Sequence, residues 1–184
     1  MTARNILRVG ATAVPWTVSW TSEEGHCLEV CPFFKKLALS QPSSSGHGKP
    51  QFGKLHMNRQ REAIAKGLCD LCGKSHATTA KVSLSHARPV AHGAESMAIL
   101  QVEPLLHRGC AMESIRFCPS LKRDIAEGTI VIRQVTRWRA QCAVMTPEYV
   151  ESLTGHHRKA LGHAKFELLQ WVDQDIAWLE KRYA

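Results

Sequence analysis

Hydrophobic and polar positions alternate along two stretches of the chain. Val14, Trp16, Val18 and Trp20 alternate with Pro15, Thr17 and Ser19, the period of a strand with one buried face. Glu23-Glu24-Gly25 reads as a turn and residues 26–34 as a returning strand through Leu28 and Val30, so a β-hairpin is expected over 1–39. Residues 129–144 (TIVIRQVTRWRAQCAV) are rich in β-branched side chains and alternate as well. Ile130, Ile132, Trp138, Cys142 and Val144 fall on even positions, while Arg133, Arg137 and Arg139 all fall on odd ones. One face is then core and the other a basic stripe.

Other stretches follow the helical period. Residues 56–66 (HMNRQREAIAK) are good helix formers, and Gly67 is placed to end them. Residues 111–117 form a second candidate helix. Thr146-Pro147-Glu148 offers an N-cap, a proline at the first helical position and an acid in the first turn, with Gly155 as the break. From about His157, Leu168, Val172, Ile176, Leu179 and Tyr183 recur every three or four residues, which predicts a C-terminal amphipathic helix. Residues 40–54 are dense in Ser, Gly and Pro and read as a flexible loop. The organisation expected is a hairpin (1–39), a loop (40–54), a core (55–124), and a strand plus helices packed on it (125–184), in one α+β domain.

Length and charge narrow the classes. The 184 residues suffice for a real core, and 24 Lys and Arg against 16 Asp and Glu leave a net charge of +8. Acidic partners, nucleic acid above all, become plausible. No apolar run approaches the roughly 20 residues of a membrane span, and residues 1–10 lack the apolar stretch of a secretory signal. A cytoplasmic location without membrane contact is expected. In a reducing compartment the seven cysteines divide between buried thiols and metal ligands.

Spacing makes that division. Cys69-Asp-Leu-Cys72 lets two thiolates reach one tetrahedral metal from a tight turn, and Gly73 can take the positive φ such a knuckle needs. His107-Arg-Gly-Cys110 supplies two further ligands with the same gap, at the start of the 111–117 helix. Cys69, Cys72, His107 and Cys110 make a Cys3His set, which selects Zn²⁺ in a closed, structural site. A knuckle plus two ligands from a helix N-terminus is the treble-clef arrangement.

Between the two halves run Ser85-His86-Ala87-Arg88-Pro89 and Gly93, followed by Leu105-Leu106-His107. With the paired ligands, these pieces resemble the HNH (His-Me finger) nuclease family in its zinc-binding form, over residues 68–112. The resemblance implies a ββα-metal core in which His86 is the general base that activates water. The family's metal-binding aspartate falls on Ser85, and its helix ligand falls on Ala111. Its orienting asparagine falls near Gln101 or Val102. The catalytic metal ligands are therefore degenerate here, with His92 or Glu95 as substitutes.

Three readings follow. The leading one is a nucleic-acid-binding protein on an HNH-like scaffold, directed at DNA and lacking a complete nuclease site. The second is an endonuclease using Mg²⁺ or Mn²⁺ with His86 as base. The third is a protein-interaction module or inhibitor that engages a nucleic-acid enzyme. Arg88 and the stripe Arg133, Arg137 and Arg139 are the candidate phosphate contacts, or else the stripe pairs with acids of the C-terminal helix. Cys27 and Cys31 either pack under the hairpin or hold a second metal with His26 and His47 or His56. Cys118 and Cys142 read as core. His156, His157 and His163 read as a solvated helix face or as phosphate contacts, and the five tryptophans as core.

Overall fold

The computed structural model describes residues 6–76, 80–91 and 97–181. Its elements begin with β1 (Arg8–Val9), β2 (Thr12–Ala13), β3 (Val18–Trp20), β4 (Cys27–Val30), β5 (Leu37–Ser40), β6 (Pro50–Leu55) and α1 (Met57–Lys66). Then come β7 (Lys81–Ser85), β8 (Val90–Ala91), β9 (Met97–Gln101), β10 (Leu106–His107), α2 (Arg108–Phe117) and α3 (Pro119–Ala126). The chain ends with β11 (Val131–Met145), α4 (Pro147–Thr154), β12 (Ala160–Gln174) and α5 (Ile176–Glu180). The class is α+β.

Two helices form where their caps place them. His56 Nδ1 accepts the Arg59 N–H at 3.3 Å to open α1, and Gly67 closes it at φ 60°. Thr146 Oγ1 accepts the Tyr149 N–H at 3.4 Å to open α4, Pro147 fills the first helical position, and Gly155 ends the helix.

β11 and β12, each 15 residues long, pair antiparallel along their length and form the middle of a sheet ordered β10-β7-β11-β12-β5-β4. β12 also pairs with β5 in parallel at Leu161↔Ala38 and with β9 in antiparallel sense from Phe166 to Leu168. Two short strands thus share its second edge.

The predicted C-terminal helix is therefore mostly a strand. Leu168, Val172 and Ile176 stand four apart, a spacing that satisfies a period of two as well as 3.6. Ala164, Phe166 and Leu168 are buried at alternate positions against β11, whereas Val172 is exposed. Only Ile176–Glu180 is helical, and Tyr183 lies outside the described residues.

The expected N-terminal hairpin is re-paired. β3 joins β6 (Ser19↔Gln51, Trp20↔Pro50), and β4 joins β5 (Cys27↔Ser40, Val30↔Leu37). A 3-10 turn at Thr21–Glu23 intervenes, and its Glu23 carboxylate is buried, accepting the Trp20 N–H at 2.9 Å and both terminal nitrogens of Arg59. That anchor turns the chain away before it can fold back on itself. The stretch read as a loop carries a strand instead: Thr21 exchanges bonds with Lys49 at 3.0 Å, and a Cβ on Gly48 would collide with the Thr21 hydroxyl.

The strand before His86 is also partnered differently from a simple ββα hairpin. β7 pairs with β10 and β11, while β9 pairs with β8 and β12. Val82, Ser83 and Ser85 are buried on β7, and a strand covered on both faces has its two edges filled as well.

The core lies in several clusters. Cys69, Leu71 and Cys72 pack with Val82, Leu106, Ala111 and Ile132 in one of them. Ile64, Ile99, Leu105, Phe166 and Leu168 make a second on β12. The cysteine pair thus belongs to the hydrophobic interior.

Candidate metal centre

The knuckle is built from backbone bonds. Cys69 N–H donates to Lys74 O and Gly73 N–H to Cys69 O, both at 2.8 Å, and Leu68 bridges Ser75. Gly73 sits at φ 65°, a conformation that costs a side-chain-bearing residue. The turn points both thiols the same way. Asp70 N–H donates to Leu105 O at 2.9 Å, which docks the knuckle against the segment leading to His107.

Helix α2 brings the other half. His107 is its N-cap residue and Cys110 lies in its first turn, where the positive end of the helix favours a thiolate. His107 Nδ1 lies 3.4 Å from Cys72 Sγ and 3.8 Å from Cys110 Sγ, and its backbone N–H meets Cys69 Sγ at 3.4 Å. The ligand atoms of Cys69, Cys72, His107 and Cys110 all lie within 4.8 Å of one another. A tetrahedron with bonds of about 2.0 Å to imidazole and 2.3 Å to thiolate has edges of about 3.4–3.8 Å. The donor set fits a four-coordinate ion with no open position, so the site can hold a metal ion.

A hydrogen bond orients the histidine. His107 Nε2 reaches Ser75 O at 3.0 Å, which fixes the proton there and leaves the Nδ1 lone pair for the cluster. His76 packs on the same ring at 4.6 Å between centroids and bonds Leu105 O at 3.0 Å. Burial, and then the nearby His107, push His76 down to about 4. Contacts with Cys69 and Cys72 pull His107 up to about 10, and the neighbouring thiols hold Cys72 down and Cys110 up. Three thiols cannot all ionise together without a cation among them.

The remaining expected site residues are scattered. His86 is exposed at the end of β7, with Nδ1 3.2 Å from Thr129 O and Nε2 3.9 Å from Asp124 Oδ2. Ser85 spends its hydroxyl on the Ala87 N–H at 3.0 Å, and Ala111 is fully buried. His92 and Glu95 lie outside the described residues. Arg88 donates to His86 O at 2.8 Å and Thr129 O at 2.9 Å, tying its loop to the start of β11.

Arg133, Arg137 and Arg139 do not form one exposed stripe. Register shifts on both sides of Arg137 break the alternation. Arg133 is buried, donating to Ala87 O at 2.9 Å with Asp173 at 3.5 Å, and Arg139 pairs with the buried Glu167. The acids come from strand β12 rather than from a helix. Arg137 alone of the three makes no ion pair among the described residues.

Other expectations resolve in the same way. Cys142 is exposed rather than core, and of Cys27 and Cys31 only Cys31 is buried. No second metal cluster assembles among the described residues: His56 is bound to Pro42 O at 2.8 Å, and His47 is exposed. His157 pairs with Glu151 at 2.7 Å while His163 turns inward to Leu55 O at 3.3 Å, so the three histidines share no helix face. Among the described residues no helix is long and apolar enough to cross a membrane.

Sequence reasoning missed Asp124, whose carboxylate reaches His86 from α3, and the carbonyl of Ser75. The first is brought close by tertiary folding alone. The second is a backbone atom, invisible in residue types. No family model, curated protein or solved structure matches the chain.

Proposed function

We propose that this chain is a nucleic-acid-binding protein, directed at DNA, on a zinc-stabilised, HNH-like treble clef that lacks a complete nuclease site. The observation that carries the reading is the closure of the Cys3His cluster between a knuckle and the N-terminus of α2, with His86 just past the end of β7, between the two halves in the chain. Thiolate and imidazole donors in a closed tetrahedron favour Zn²⁺ over harder cations. The ion joins the knuckle to α2 and holds β7 beside them.

The phosphate-binding face is carried by the net charge of +8 and by exposed Arg137 and Arg88. Nuclease chemistry is disfavoured because Ser85 and Ala111 offer no carboxylate or imidazole to a divalent cation. Gel shift against duplex DNA over a salt series tests the reading. Binding that weakens steeply as salt rises supports it, and no shift at about 50 mM salt overturns it in favour of a protein partner.

One contact favours the endonuclease reading. Thr129 O fixes the Nδ1 proton of His86, leaving Nε2 as a base on the side of Asp124. Plasmid nicking in Mg²⁺ or Mn²⁺ that disappears in His86→Ala supports this reading. Equal nicking by both proteins, or none by either, removes it.

A further inference from the structure

A cavity of about 890 Å³ is lined by residues of β6, α2, α3 and α4, apart from the ligand atoms of the metal centre and from Arg88 and Arg137. Its walls are largely apolar, with Leu55, Leu106, Phe117, Leu121, Tyr149 and Leu153 among them. Pockets of about 300–1,000 Å³ with apolar walls and a few placed polar groups are the usual form of a small-molecule site.

One of those polar groups is Asp70, on the knuckle. Its backbone is held at both ends, since its N–H donates to Leu105 O at 2.9 Å and its carbonyl accepts the Trp16 N–H at 2.8 Å. Its Oδ1 accepts the Thr17 hydroxyl, whereas Oδ2 meets no donor among the described residues. The side chain lines the cavity, lies deep enough for burial to be the largest influence on its carboxyl, and has no ion-pair partner among the described residues. Glu103, which also lines the cavity and is exposed, is the charged neighbour that acts on it. Glu113 lines the cavity as well but is spent on Arg8.

Cations line the cavity elsewhere. Lys54 acts on His26, which acts in turn on His163, but none of the three acts on Asp70. His163 Nε2 is occupied by Leu55 O at 3.3 Å, and Lys54 is exposed, so water and salt screen its charge. The deep, unshared acceptor is Asp70. We propose that this cavity binds a small amphipathic monoamine, its ammonium on Asp70 Oδ2 and its apolar body along the walls. An ammonium brings three donors and a charge opposite to that of both Asp70 and Glu103. A second amine on the same ligand, directed away from Asp70, would meet Lys54 and His26, which disfavours diamines. The site does not rest on the nucleic-acid reading and stands if duplex binding fails.

The test is a titration of the metal-loaded full chain with 4-phenylbutylamine, 4-phenylbutanol and 4-phenylbutanoate, which share one body and differ in the head. Thermal unfolding and saturation-transfer NMR of each probe are the readouts. The expected result is a saturable rise in Tm with the amine, which binds at least tenfold more tightly than the carboxylate. Asp70→Asn is expected to lower the affinity for the amine at least tenfold and that for the alcohol less than threefold. No saturable binding of the amine to wild type, across millimolar concentrations, overturns the proposal, as does a carboxylate that binds as tightly as the amine. Equal affinity for the amine in a folded Asp70→Asn overturns it as well. Where Asp70→Asn fails to fold, Glu103→Gln, at an exposed position, decides: a loss of threefold or more supports the site, and an unchanged affinity overturns it.

Discussion

The Nδ1 of His107 lies 3.4 Å from the Sγ of Cys72, although 34 residues separate the two in the chain. That approach joins a turn made by backbone bonds to a helix N-terminus. Because Cys69 and Cys72 sit in the same cluster as Val82, Leu106 and Ile132, a metal held there and the core would stabilise one another. Stripping the ion with a chelator is expected to lower Tm cooperatively, and Cys110→Ser to do the same without a chelator. Metal binding in such sites contributes folding free energy directly. Calorimetry with and without chelator checks it.

Gly162 distinguishes strand from helix at the C-terminus. In an exposed helix, Gly→Ala stabilises by about 0.5–1 kcal/mol. In β12, a Cβ at Gly162 runs into the side chain of Met145 on β11. Gly162→Ala is therefore expected to destabilise by about 1–3 kcal/mol, with partial rescue by Met145→Ala. Chemical denaturation of the single and double variants measures it.

Glu23 and Arg59 hold the N-terminal segment to α1. The carboxylate is fully buried and takes Nη1 at 2.6 Å and Nη2 at 2.7 Å. Glu23→Gln leaves a buried guanidinium uncompensated and is expected to cost about 3–5 kcal/mol. A double-mutant cycle with Arg59→Met isolates the coupling.

Acid is expected to destabilise the fold in two steps. Burial, reinforced by Arg59 and Arg61, holds His56 below its ordinary 6.5, although the Pro42 carbonyl and Glu23 pull the other way. Burial likewise lowers His163 and His26. A depressed native value means that the unfolded chain binds the proton more tightly. This contribution is thus complete above about 6.5 and is lost as pH falls through the lower native value. Glu23 follows the same sign in a more acidic window: burial alone would raise it, but Arg59 and the Ser44 and Trp20 N–H groups hold it below 4.5. Stability against pH, measured by denaturant midpoint, should fall below about 6.5 and again below about 4.5. His56→Gln should flatten the first fall.

The three arginines of β11 are expected to separate by experiment. Arg137→Gln should weaken duplex binding evenly across sequences and reduce the salt slope by about 1, with stability unchanged. Arg133→Gln should act on stability, since its guanidinium is buried against Ala87 O and Asp173. Gel-shift salt series on folded variants compare them.

Local signals were legible in the sequence wherever a single residue type dictates a conformation. Gly67 ends α1, Thr146 and Gly155 bound α4, and Gly73 marks the knuckle, each through its own cap or positive φ. The clustering of Cys69, Cys72, His107 and Cys110 was legible because matched spacing is a geometric requirement on each half of such a site. Strand partners were not. Nothing in residues 14–20 says that β3 will choose β6 over β4, because the choice depends on Glu23 finding Arg59 across the fold. The C-terminal strand was hidden by a spacing of four, which both periods accept. The basic stripe failed at the bulges beside Arg137, which no alternation reveals.

The central claim is that Cys69, Cys72, His107 and Cys110 hold one zinc ion. Metal analysis of the purified chain, joined to zinc K-edge absorption, tests it most directly. The account predicts one zinc per chain, with three sulfur neighbours near 2.3 Å and one nitrogen near 2.0 Å, lost in Cys110→Ser. A purified chain without zinc, or one whose zinc keeps the same neighbours in Cys110→Ser, would contradict it.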